Sequence, residues 1–243
     1  MNIFDGIIDE ILKITAEYHQ ISYEYKIAKN FIEESNQFFF KNDIGIALGG
    51  EQKFGLSSTL VTSNLNYVKT DTITIIGNEL SDLEKTTDYA RIVIAEIDDS
   101  KYKSSNDIYQ LVRKIDYARY HFNLKGVMLR ASSMNKKESL IINKTSLKNG
   151  IKLQDIVEYM INIYKKNSAI KKVHLIFINQ NNFPYNKLED ICEKSENITK
   201  ALDHLANNIK MDCHSCSLQV VCNEVEKKVA QSAASFLGSQ MEI

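Results

Sequence analysis

Arg91-Ile-Val-Ile-Ala-Glu-Ile97 is a run of strand formers with almost no polar interruption. A strand that faces water on one side alternates apolar and polar residues. An unbroken apolar run reads instead as a strand covered on both faces, at the centre of a sheet. On its N-terminal side, Asp43-Ile-Gly-Ile-Ala-Leu-Gly-Gly50 reads as a short strand closing on a glycine pair, and Thr72–Gly77 as another strand with a turn behind it. On its C-terminal side, Asn106–Phe122 places Ile108, Leu111, Val112, Ile115, Ala118 and Phe122 on one helical face, capped by Asn106 or Asp107. Strands follow at Gly126–Ala131 and Ser139–Ile142, then a helix at Leu153–Lys166 and a strand at Lys172–Ile178.

The two ends of the chain read as helical. Residues 4–35 carry apolar side chains at spacings of three and four, from Phe4 through Ile11, Tyr18 and Tyr25 to Ile32, and form one long helix or two. Lys187–Lys210 and Leu218–Leu237 form the last helices, the second closed by Gly238. The fold class is therefore α/β of the mixed α+β kind. An N-terminal helical segment spans 1–40, a mixed sheet with packed helices spans 41–182, and a helical cysteine-bearing tail spans 183–243.

With 44% hydrophobic and 25% charged residues the composition is that of a globular protein. A net charge of −1 and the lack of basic–aromatic interleaving argue against nucleic acid as a partner. No apolar run approaches the ~20 residues of a membrane span, and the acidic start Met1–Glu10 does not read as a signal peptide, so neither is expected. A reducing cytoplasm is expected, where clustered cysteines hold metal more often than disulfides.

Three of the four cysteines stand in Met211–Glu226 as Cys213, Cys216 and Cys222. A C-x2-C turn converges two sulfurs, and a third six residues on can reach them, which suits a soft metal or an iron–sulfur cluster. Cys192 is the expected fourth ligand, with His214 and His204 as alternatives. Inert thiols and a redox pair are the other readings. The sequence holds no Walker loop, G-x-G-x-x-G or H-E-x-x-H motif.

Several stretches, read in order, carry a family resemblance. They are Gly49-Gly50 with the segment Phe54–Val61, then Ile73–Leu80, Ile92–Asp98, Asp107–Arg119, Val127–Ser132, Gly150–Met160 and Lys172–Gln180. Together residues 44–222 resemble the middle domain and cluster loop of acetyl-CoA synthase, the β subunit of the carbon monoxide dehydrogenase/acetyl-CoA synthase complex of anaerobes. The resemblance implies a 4Fe-4S cluster on Cys213, Cys216 and Cys222, and a partner in another subunit of such a complex. It also implies a coenzyme A site, for which Arg119, Arg130 and the Gly49-Gly50 turn are the candidate anchors. The family's nickel site uses a Cys-Gly-Cys, and its coenzyme A site a tryptophan; these 243 residues contain neither. The expectation is thus a cluster- or metal-binding module rather than a complete CO-methylating synthase. The rival readings are an accessory subunit with structural zinc, docking through the N-terminal apolar stripe, and a small enzyme for coenzyme A or another phosphate-bearing ligand.

Overall fold

The computed structural model describes residues 2–26, 30–50, 52–98, 100, 102, 104–131, 137–207 and 216–238, the last seven by backbone alone. Two mixed sheets carry the fold. The larger is ordered β1 (Ile21–Glu24), β4 (Thr72–Ile76), β9 (Ile170–Ile178), β6 (Tyr89–Ile97) and β3 (Gly55–Thr62). The smaller is ordered β5 (Thr86–Thr87), β2 (Ile44–Leu48), β8 (Glu138–Asn143) and β7 (Val127–Ala131). Pairs β3–β6 and β4–β9 are parallel, and β6–β9 joins them antiparallel.

The apolar run at 91–97 is one of the three inner strands of the five-stranded sheet, and every residue of β6 is buried. The helices cover both faces of this sheet. α1 (Asp5–Thr15) and α5 (Tyr185–Ala206) lie on one face, where Asp5 accepts from the Thr62 hydroxyl at 2.8 Å and Ser195 meets Ser58 at 2.9 Å. α4 (Leu153–Lys165) and strand β8 lie on the other, where Tyr164 and Glu138 reach Arg91. α2 (Ser105–Tyr117) packs on α5 and β3, α3 (Lys144–Lys148) follows β8, and α6 (Gln219–Gly238) packs on α5. Ser104 rather than Asn106 or Asp107 is the cap of α2; its hydroxyl accepts from Asp107 N–H, and Asp107 answers from the third position of a capping box.

The N-terminal segment departs from the expected long helix. α1 ends at Thr15, whose hydroxyl donates to the carbonyls of Ile11 and Leu12, and the Gln20 amide donates to its carbonyl. Ile21, Tyr23 and Tyr25 then follow the period of two, and β1 pairs antiparallel with β4, Ile21 opposite Ile75. Tyr18, Ile21 and Tyr25 suit a helix while Ile21, Tyr23 and Tyr25 suit a strand, and strand pairing decides between them. The α1 stripe of Phe4, Ile7, Ile8 and Ile11 is buried in the chain's own core and offers no docking face. Strand β3 was illegible for the opposite reason. Its Gly-Leu-Ser-Ser-Thr-Leu-Val-Thr reads as polar, yet all eight residues are buried, and Ser57, Ser58 and Thr62 find side-chain partners on Arg119, Ser195 and Asp5.

Candidate functional site

A charged cluster is buried between the two sheets. Arg91 on β6 meets Glu138 on β8 through two hydrogen bonds, Nε to Oε1 at 2.8 Å and Nη2 to Oε2 at 2.6 Å. Its third donor arm gives to the Tyr164 hydroxyl, and the Tyr89 hydroxyl donates to Glu138 Oε1 at 2.9 Å. Burial alone would push the Arg91 guanidinium down, but the carboxylate across from it holds it well above its usual range. Burial pushes the Tyr89 and Tyr164 phenols up, and the Glu138 charge adds to both. Arg119 enters the same cluster from the 3-10 turn after α2. It donates to Ser57 Oγ at 2.9 Å and pairs with Asp116 at 3.4 Å; its Nη1 lies 4.0 Å from Glu138.

This arrangement separates the expected ligand anchors. Arg119 is 4% exposed, with Nη1 on Ser57 and Nη2 against Asp116 and Tyr120, so it is shut off from the surface where a phosphate would bind. Arg130 on β7 is exposed and stands opposite Ser139, one residue out of step with Glu138. With the strand period of two, Arg130 points away from the side of the smaller sheet on which Glu138 meets Arg119. Gly49 and Gly50 form a turn with positive φ, +72° and +124°. Gly49 has no room for a Cβ, which would lie 2.5 Å from the Glu138 carbonyl oxygen, whereas Gly50 opens into a cleft of about 400 Å³. That cleft is lined by Lys53 and Lys137, which pair loosely with Asp88 at 3.6 Å and Glu189 at 3.9 Å. The anchors therefore occupy three places.

A larger groove of about 670 Å³ lies under the segment 30–43, between it, the start of β7 and α3. Gln37 pins that segment: its amide donates to the Leu124 and Val127 carbonyls at 2.8 and 3.2 Å and accepts from Gly126 N–H at 2.5 Å. The segment presents Ile32, Phe38 and Phe40 to solvent at 69, 70 and 65% exposure, the two phenylalanine rings meeting edge to face at 5.3 Å.

A family model for the CO dehydrogenase/acetyl-CoA synthase complex beta subunit matches residues 32–182, more than half of the chain. The chain belongs to that family. No curated protein matches it. The span shared with the β-subunit family begins within the pinned segment and ends at the turn before α5. It includes both sheets apart from β1, the buried cluster and most of the lining of both clefts, Glu189 of the smaller and Asn30 and Phe31 of the larger lying outside it. Residues 183–243, with all four cysteines, lie beyond it.

Of these cysteines, Cys192 sits on α5 in the core at 7% exposure. Cys216 and Cys222 are half-buried where the tail loop becomes α6; Gln219 N–H bonds to the Cys216 carbonyl at 3.1 Å. Cys213 and His214 lie outside the described residues. Among the described residues no three His, Cys, Asp or Glu side chains converge on a metal-sized point, so Cys192, Cys216 and Cys222 are not a ligand set by themselves. Likewise among the described residues, no helix is long and apolar enough to cross a membrane.

His174 is hydrogen-bonded to Thr74 Oγ1 at 2.9 Å, which in turn meets Ser22 Oγ at 2.8 Å. It is a satisfied histidine on the inner strand β9, and burial holds its pKa down at about 4. Sequence reasoning missed the pairing that organises the region. Glu138 follows Lys136 and Lys137 and reads as a surface charge, and Arg91 reads as the polar edge of an apolar run. Nothing local marks them as partners.

Proposed function

We propose that the chain is a β-subunit-type binding module of a CO dehydrogenase/acetyl-CoA synthase-like assembly, and that it docks another subunit of that assembly. The observation that carries this reading is the exposed apolar set Ile32, Phe38 and Phe40 on the segment that Gln37 pins beside the 670 Å³ groove, at the start of the family span. Large apolar side chains left in water as a contiguous patch mark interaction surfaces. Sedimentation of the full chain with the CO dehydrogenase subunit of the same source tests it. Co-sedimentation that Phe38→Asp/Phe40→Asp abolishes is expected; no co-sedimentation, or none of it lost in the variant, overturns the reading.

A second reading concerns the tail. We propose that Cys213, Cys216 and Cys222 hold a metal group, either a 4Fe-4S cluster or zinc. Cys216 lies just before α6 and Cys222 in its first turns, both half-buried, while Cys192 is buried in the core. A cluster would supply one-electron transfer, and zinc a structural cross-link. Anaerobically purified chain analysed for iron and zinc decides between them. Loss of the metal in Cys213→Ala/Cys216→Ala and its retention in Cys192→Ser are expected. Absence of both metals removes this reading. A coenzyme A-like ligand would have to use Gly50 with Lys53 and Lys137, since Arg119 and Arg130 do not meet.

A further inference from the structure

The end of α2 and the 3-10 turn that follows it carry a stripe of one chemical character. Arg113, Lys114, Tyr117, Tyr120 and His121 recur at helical spacing and all are exposed. The Tyr117 ring lies 5.2 Å from those of both Tyr120 and His121, tilted on the first and edge to face on the second. Between Asp116 and Glu138 the chain has no carboxylate, while Arg119, His121, Lys125, Arg130, Lys136 and Lys137 fall within those bounds. Asp116 is itself buried against Arg119. No carboxylate among the described residues lies within ion-pair distance of Arg113, Lys114 or Arg130, while Lys125 and Lys137 reach Glu34 and Glu189 only at 3.9 Å.

The stripe is also held from below. Arg119 sits under the Tyr120 ring, 5.1 Å from its centroid, and gives to the Tyr120 hydroxyl at 3.2 Å while its other arm is fixed on Ser57. Tyrosines beside an uncompensated arginine have the composition of an interface centre, because their rings add contact area at little entropic cost, and the neighbouring lysine suits its charged rim. The chain's net charge of −1 supplies no wide basic field of the kind that binds nucleic acid.

We propose that this stripe is a docking surface for an acidic, apolar-containing segment of a partner protein, with Tyr117 and Tyr120 taking its apolar side chains and Arg113 and Lys114 its carboxylates. The inference rests on the partner-subunit reading above, and adds to it a second surface and the chemistry of what binds there.

The test uses the full chain and a fluorescent Asp/Glu/Leu/Phe peptide, beside its lysine-for-acid counterpart and a single-stranded oligonucleotide, in anisotropy titrations at two salt concentrations. The acidic peptide is expected to bind at least about tenfold tighter than the basic one, more weakly at high salt. Arg113→Glu/Lys114→Glu and, separately, Tyr117→Ala are each expected to weaken it about tenfold with unchanged Tm, and Phe38→Asp/Phe40→Asp to leave it alone. No binding, equal binding of both peptides, tighter binding of the oligonucleotide, or indifference to the stripe variants overturns the proposal. Peptide binding without co-sedimentation of the CO dehydrogenase subunit would sink the partner-subunit reading alone; co-sedimentation without peptide binding would sink this one alone.

Discussion

Arg91 and Glu138 lie 47 positions apart in the chain and meet through two charge-assisted hydrogen bonds that tie the five-stranded sheet to the four-stranded one. Both side chains are shut off from water. Removing one partner of such a pair strands the other charge in a medium that cannot solvate it.

Glu138→Gln is therefore expected to lower unfolding free energy by about 3–5 kcal/mol. Arg91→Met/Glu138→Leu, which removes both charges, should recover most of that loss. Urea denaturation of the three proteins checks this, and a double variant no more stable than the single one would show that the pair itself is favourable.

Arg119 and Arg130, alike as ligand anchors in the sequence, should behave differently. Arg119→Ala leaves Asp116 without its partner and Ser57 without its donor, and should cost about 2 kcal/mol or more. Arg130→Ala, at an exposed edge position, should stay within about 0.5 kcal/mol. Thermal melts separate the two outcomes.

Stability should fall on the acid side through His174. Its pKa is held at about 4 in the folded chain against an ordinary 6.5. Between those values the unfolded chain binds the extra proton, so the stabilisation is complete above about 6.5 and is lost as pH drops toward about 4. The loss is at most about 3–4 kcal/mol, since each tenfold difference in proton affinity is worth about 1.4 kcal/mol. Unfolding curves across that window should flatten in His174→Gln; an unchanged pH slope in the variant would assign the effect to other groups.

The glycine pair should divide in the same way. Gly49→Ala forces a left-handed φ on alanine and drives its Cβ against the Glu138 carbonyl, and should cost more than about 1–2 kcal/mol. Gly50→Ala meets open space and should be the milder of the two. Equal losses in chemical denaturation would mean that backbone strain, not the close approach, sets both.

The elements with a strong single period were legible in the residues: β6 by its unbroken apolar run, and α2 and α4 by their faces. Residues 18–25 were not, because the spacing of their apolar side chains suits two structures. β3 was not, because Ser57, Ser58 and Thr62 find their side-chain partners only across the fold. Among candidate site residues, the cysteine spacing could be read locally, whereas the burial of Arg119 and the outward turn of Arg130 could not.

The residues alone fix the mixed α/β class and the order of the strongly periodic elements, β6, α2 and α4 among them, because local periodicity records which side of an element is dry. Which charges face each other is set by the packing of the two sheets. Arg91 and Glu138, or Arg119 and Ser57, are brought together by sheet order and register, and no period along the chain encodes a contact between strands that distant. Whether a charged side chain anchors the core or waits at the surface for a partner is set by that register.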